Sequence, residues 1–159
     1  MKQSSSSAGM RVHDTLAGAG LSIEVVEFEK STRSAQDAAI AIGCSVGQIV
    51  KSLIFKRRDT AEPVLLLVSG ANNVSERALQ RVAEGPLEKA DANYVTERTG
   101  FVVGGVAPVG HKEPITTFID EDLFAHAEVW AAAGAPNTVF RIGPLDLEKV
   151  THAARFSVL

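Results

Sequence analysis

The sequence has little cysteine, no basic excess and no long apolar run, and each shortage removes a class of protein. Cys44 is the single cysteine in 159 residues, so neither an intrachain disulfide nor a zinc site of several thiolates is expected. A net charge of -3 argues against DNA or other broad nucleic-acid binding, since such proteins normally carry a basic excess. No apolar run approaches the roughly 20 residues of a membrane helix, so no membrane partner is expected.

The first ten residues contain a serine run where a secretion signal would need an apolar segment, and a cytoplasmic location is therefore expected. We predict that residues 1–10 form a disordered tail and that residues 11–159 form one domain. With 45% apolar and 22% charged residues, a chain of this length can bury one good core.

Apolar patterns of strand and helix type alternate without a strict βαβ order, which predicts a single α+β domain around a mixed sheet. Strands are predicted at residues 23–28, 49–55, 63–70, 115–119, 128–132 and 138–142. Helical segments are predicted at residues 12–16, 35–42, 75–82, 92–99, 121–124 and 144–150.

The strand that begins at Ile49 carries a lysine among apolar residues. Because strand side chains alternate, Lys51 points the same way as Ile49, Leu53 and Phe55. An ammonium in such surroundings is costly unless it has an anionic partner. Two interpretations remain open: a functional cation that binds an anion, or an edge lysine whose methylene stem lies along the sheet.

A glycine-rich segment between Phe101 and His111 is the second candidate for part of a functional site. Gly104, Gly105 and Gly110, with Pro108 between them, indicate a backbone held in a special path. Exposed N–H groups in such a loop can hold an anion or a developing oxyanion, although a tight connection without a ligand fits equally well. His111 is either a general base or a solvated loop residue.

Residues 43–47 match the G-x-S-x-G motif of serine hydrolases, with Ser45 in the place of the nucleophile. That motif needs a strand before the serine and a helix after it, whereas here the predicted order is reversed, so Ser45 is expected in a helix-to-strand turn.

Carboxylates and histidines are the remaining candidates for metal or acid–base chemistry. Asp120, at the start of a predicted helical turn, is expected to cap that turn. His13, His126 and His152 lack ligand spacing, and no metal site is predicted.

Taken together, the motifs resemble the YbaK/ProX-type aminoacyl-tRNA deacylases, which are relatives of the editing domain inserted in bacterial prolyl-tRNA synthetase. The resemblance covers roughly residues 12–155 and depends on the order of the motifs. These motifs are Ala38-Ala39 before Gly43, Ile49-Val50-Lys51-Ser52-Leu53, Lys89-Ala90-Asp91, Thr99-Gly100-Phe101, the segment from Gly104 to His111, Ile119-Asp120, and Gly134-Ala135-Pro136-Asn137-Thr138.

The resemblance implies a mixed, mostly antiparallel sheet or partial barrel flanked by helices. It also implies hydrolysis of the ester between a wrong amino acid and the terminal adenosine of a tRNA, with no cofactor, no metal and no covalent nucleophile. The expected partners are the aminoacyl-tRNA acceptor end and, as a further candidate, an aminoacyl-tRNA synthetase. A catalytically silent module that binds tRNA ends or a nucleotide is the alternative.

Site residues follow from the same resemblance. The expected catalytic residues are Lys51, Gly104 and Gly105. The expected substrate-binding residues are Ser31, Thr32, Pro108, Gly110, His111, Asn137 and Thr138. Some relatives have a histidine in the loop that corresponds to Gly134–Asn137, which this chain lacks, so the preferred amino acid cannot be transferred from them.

Overall fold

The computed structural model describes residues 2–3, 7–30, 32, 34–83 and 85–159. The helices are α1 Ser7–Gly18, α2 Ala35–Ile42, α3 Glu76–Ala83, α4 Ala92–Thr99 and α5 Pro144–Thr151. The strands are β1 Lys2–Gln3, β2 Val25–Glu27, β3 Ile49–Arg57, β4 Pro63–Ser69, β5 Leu87–Lys89, β6 Thr116–Asp120, β7 Val129–Ala132, β8 Thr138–Ile142 and β9 Ala154–Phe156. Two 3₁₀ turns cover Val46–Gln48 and Glu121–Ala125.

The described strands form one sheet in the order β1-β2-β8-β7-β3-β4-β6-β9, and β5 pairs with β3 beside this path. Five of the eight pairings are antiparallel, so the predicted mixed and mostly antiparallel α+β fold is confirmed. Across the described residues the sheet does not close on itself, so the expected partial barrel is an open sheet.

Strands β3 and β4 form the centre of the sheet, as predicted. Their antiparallel register runs from Val50 opposite Ser69 to Lys56 opposite Pro63. Every residue of β4 is buried, because helices and loops cover both faces of the sheet at this point. Alternate β4 side chains therefore enter two separate apolar clusters.

One cluster packs under α1, α4, α5 and the glycine-rich segment, and its members include Leu16, Leu65 and Phe101. The other packs under α3 and includes Leu66 and Phe156. Within the described ranges, no helix combines the length and the apolar character needed to cross a membrane.

Local capping signals placed two helices correctly. The Ser34 hydroxyl accepts a hydrogen bond from Asp37 N–H at the start of α2, and Gly43 ends that helix in the left-handed conformation. In α4 the Asp91 carboxylate accepts from Tyr94 N–H at the start, and Gly100 ends the helix in the left-handed conformation.

The N-terminal helix is longer than its predicted core at residues 12–16. It begins at Ser7, inside the segment expected to be a tail, and Ala8 packs against the large apolar cluster. Strands β5 and β9 were not predicted, because each has only three residues and is held by pairing to strands distant in sequence.

Candidate active site

Strand β3 has an interrupted edge. Along one edge it pairs with β4 from Val50 to Lys56, but along the other it pairs with β7 only at Ile49 and Val50 and with β5 only from Phe55 onward. The intervening residues 51–54 have no strand partner on that edge among the described residues. A cavity of about 770 Å³ lies at this interruption, and its walls include residues 51–53.

Several parts of the chain besides β3 form the cavity walls. They include the start of α2, the turn after β4 at Gly70, residues 103, 104 and 106 of the glycine-rich segment, and β7 with Trp130. Gly70 is needed for this arrangement, because a Cβ there would lie 2.5 Å from the Val46 carbonyl oxygen.

Lys51 is the only ionisable side chain among the described residues that line the cavity. Its Nζ donates a hydrogen bond to the backbone carbonyl of Asn72, in the turn after β4. The Asn72 side chain in turn donates to Asp120 Oδ2 at 2.9 Å and to Asp122 Oδ2 at 2.8 Å. The turn that holds the ammonium is thus fixed to two carboxylates from a distant part of the sequence.

Asp120 is the buried centre of this network. It accepts hydrogen bonds from Ser69 N–H at 3.0 Å and from Asp122 N–H at 2.9 Å, and no part of it is exposed. Its predicted capping role is confirmed. Its link to Lys51 through Asn72 was not predicted, because 48 residues separate the aspartate from Asn72 and no local pattern joins them.

Burial and charge act on Lys51 in opposite directions. Removal from water lowers the pKa of its ammonium below the usual lysine value, and the nearby Asp120 carboxylate opposes this effect. Among the described residues no carboxylate lines the cavity, so this partly desolvated cation favours an anionic ligand there.

Gly104 and Gly105 have different roles. Gly104 lines the cavity with φ of 90°, in the left-handed region. Gly105 donates its N–H to the Val102 carbonyl at 3.0 Å, so this group is not free to hold a substrate oxygen. A Cβ on Gly105 would lie 2.6 Å from the Ala135 backbone, so this glycine permits two loops to touch.

The predicted residues near the Gly134–Asn137 loop anchor that loop rather than face the cavity, with one exception. Thr32 lines the cavity, and both its N–H and its hydroxyl donate to the Pro136 carbonyl. Asn137 donates its side-chain amide to the Phe28 carbonyl, and the Thr138 hydroxyl bonds to Ala135. Ser31 lies outside the described residues.

The structure does not bring Pro108, Gly110 and His111 to this cavity. They line a second cavity of about 690 Å³, because the segment after Gly105 turns inward beneath α1. His111 Nε2 lies 2.6 Å from the Ala107 carbonyl oxygen. Burial lowers the pKa of His111, the hydrogen bond to Ala107 raises it, and the Arg11 guanidinium lowers it.

Ser45 lies between α2 and β3, in the helix-to-strand order that was predicted. Its hydroxyl bonds to Gln48 Oε1 at 3.1 Å within a short capping turn. Within the described ranges, no three histidine, cysteine, aspartate or glutamate side chains are grouped as metal ligands would be.

Sequence reasoning missed most of the cavity wall, including Trp130 and Ser52. Trp130 contributes an apolar surface there and was predicted only as part of a strand. Ser52 lies beside Lys51, and its hydroxyl is buried without a hydrogen-bond partner among the described residues. The alternation of side chains could have marked Ser52 as a polar group directed toward the core.

Comparison with protein families identifies the class of protein to which this fold and cavity belong. Residues 29–150 match the model of the family described as "Aminoacyl-tRNA editing domain". The match covers most of the chain, and the protein belongs to this family.

The chain is also similar to individual proteins and solved structures. The crystal structure of a candidate trans-editing enzyme for prolyl tRNA synthetase is 43% identical, with a TM-score of 0.90 over 97% of this chain and 98% of that one. The uncharacterized protein YwhH of Bacillus subtilis is 29% identical over 79% of this chain and 80% of its own length. The proline–tRNA ligase of Bacillus licheniformis is 29% identical over 89% of this chain, which corresponds to 25% of the ligase.

Proposed function

We propose that this protein removes a wrongly attached amino acid from a tRNA by hydrolysing the ester to the terminal adenosine. The observation that carries the proposal is that Lys51 and Gly104 line one cavity, in a chain of the aminoacyl-tRNA editing family. The names of the similar proteins support a substrate connected with prolyl-tRNA synthesis.

Lys51 supplies the positive charge of the site. An ammonium in a partly dry cavity can bind the phosphate of the terminal nucleotide or stabilise negative charge that develops in the reaction. The hydrogen bond to Asn72 fixes the position of Nζ before the substrate arrives, so little reorganisation is needed during the reaction.

Hydrolysis then needs no covalent side-chain nucleophile and no metal ion. The oxygen of a water molecule forms a bond to the ester carbonyl carbon, and the N–H of Gly104 holds the resulting oxyanion. The bond from that carbon to the ribose oxygen breaks. A neighbouring ribose hydroxyl relays the proton lost by water to the leaving oxygen. Free amino acid and intact tRNA are the products.

A deacylation panel tests the proposal. tRNA charged with alanine, cysteine, serine or proline is incubated with the protein, and the amino acid that remains bound to tRNA is counted on filters. We expect release of at least one amino acid well above spontaneous hydrolysis. Binding of the charged tRNAs without release would favour a silent binding module and contradict the proposal.

The serine-hydrolase alternative has its own test. A serine-reactive phosphonate should not label Ser45, because its hydroxyl has only the Gln48 side chain as a bonded neighbour and no histidine among its described partners. Covalent labelling of Ser45 with loss of deacylation would contradict the mechanism.

A further inference from the structure

The interrupted edge of β3 leaves the polar groups of Ser52 without partners among the described residues. The ladder with β7 ends at Val50, and the ladder with β5 begins at Phe55. Ser52 lies between the ends of these two ladders, so its backbone has no strand partner on this edge. Its side-chain hydroxyl is likewise without a hydrogen-bond partner among the described residues.

Hydrogen bonds at both ends of β3 show which way the Ser52 backbone points. The Ile49 carbonyl accepts from Gly70 N–H at 2.7 Å, and Arg57 N–H donates to the Glu62 carbonyl at 2.9 Å, both on the β4 side. Backbone groups alternate along a strand, so the N–H and C=O of Ser52 face the opposite edge. That edge borders the cavity, whose wall includes Ser52.

Unpaired backbone groups inside a protein are rare, because almost every buried N–H and C=O has a partner. Ser52 also lines a smaller neighbouring cavity of about 300 Å³. The two cavities share Gly104 and Val106, so the Ser52 edge lies where both meet the glycine-rich segment. A ligand that enters here can bind the backbone N–H and C=O of Ser52.

The chemistry of an aminoacyl ester indicates which group of the ligand would donate a hydrogen bond to the Ser52 carbonyl. Its α-amino group has a pKa near 8 and is largely a cation at neutral pH. Among the described residues no carboxylate lines the cavity, and the one ionisable side chain there, Lys51, repels a second cation. A carbonyl oxygen directed into the cavity is then the natural acceptor for the α-ammonium.

We propose that the backbone carbonyl of Ser52 binds the α-ammonium of the esterified amino acid. The Lys51 ammonium already donates to the Asn72 carbonyl, so the two cations have separate acceptors. The Ser52 hydroxyl is closed to solvent, and the contact belongs to the carbonyl. This assignment rests on the proposed deacylase function and adds recognition of the amino acid through its ammonium.

The test compares two forms of one substrate. The aminoacyl-tRNA that gives the highest rate in the deacylation panel is compared with the same tRNA carrying the acid in which oxygen replaces the α-amine. For the primary amines of alanyl- and seryl-tRNA, nitrous acid makes this replacement directly and leaves the side chain and ester in place. We expect kcat/KM, divided by the spontaneous hydrolysis rate of the same ester, to fall about tenfold or more, because a charge-assisted hydrogen bond becomes a neutral one.

A backbone change locates the interaction on Ser52. The variant Leu53→leucic acid replaces the peptide bond after Ser52 by an ester, whose carbonyl is a weaker acceptor. The matched control, Phe55→phenyllactic acid, loses an equivalent N–H toward β4 but changes the carbonyl of Ile54 instead. The preference for the ammonium form should shrink several-fold in the first variant and stay unchanged in the control.

General structural damage lowers the rates of both substrates and leaves their ratio unchanged, so the ratio reports the contact itself. Equal turnover of the two substrates by the wild-type protein, each divided by its spontaneous rate, or an unchanged ratio in Leu53→leucic acid, would overturn the assignment. If the wild-type protein releases no amino acid from any charged tRNA, the proposed function fails instead.

Discussion

Asp120→Ala is expected to destabilise the protein and to impair catalysis through Asn72 and Lys51. The substitution removes the acceptor of three hydrogen bonds, from Ser69 N–H, from the Asn72 amide and from Asp122 N–H. The Ser69 N–H is buried, and loss of its charged acceptor costs about 2–3 kcal/mol. Loss of the cap on the following turn costs about 1 kcal/mol.

The Asn72 amide keeps its 2.8 Å hydrogen bond to Asp122, so its lost bond to Asp120 adds little to the destabilisation. The free energy of unfolding should therefore fall by about 3–4 kcal/mol in total. Denaturant unfolding of the full chain measures this value. The matched control is Asp122→Ala, which removes an exposed carboxylate from the same amide and should cost under about 1 kcal/mol. Equal stability of the two variants would refute the view that Asp120 orders the turn that holds Lys51.

Three further results are expected. In Asp120→Asn the pKa of Lys51, followed by NMR of its side chain, should fall below its wild-type value because an opposing charge is gone; an unchanged pKa would show that the carboxylate does not act on the ammonium. Gly105→Ala should lose about 1–3 kcal/mol of stability and much of its activity, since the new Cβ meets the Ala135 backbone; wild-type stability would contradict the close contact. Ser52→Ala should keep its stability or gain about 1 kcal/mol, because the lost hydroxyl has no described partner, whereas a loss above about 1 kcal/mol would reveal one.

The order of the central elements was predictable because their signals are local. Ser34 and Gly43 bound α2, and an unbroken apolar run marks β4 as a strand covered on both faces. The alternation of β3 likewise identified Lys51 as an unusual cation, although the residues alone left its role open. Its assignment to a site came from the resemblance, which the family match supports.

The parts of the site that were missed depend on contacts between distant segments. No local pattern shows that Asp120 holds the turn at Asn72, or that β7 and β5 stop short of each other along β3. The second half of the glycine-rich segment was expected at the substrate, but His111 turns into a different cavity. A motif specifies the residue types in a loop, whereas tertiary packing decides which cavity each residue faces.

The most direct test of the central claim is the rate at which Lys51→Ala deacylates the best substrate of the panel. Lys56→Ala is the matched control on the same strand, since its ammonium lies 3.8 Å from Glu88 and outside the cavity. We predict a loss of about 100-fold or more in kcat/KM for Lys51→Ala, with a folded protein, and a change within about twofold for the control. Near-normal turnover by folded Lys51→Ala would contradict the account.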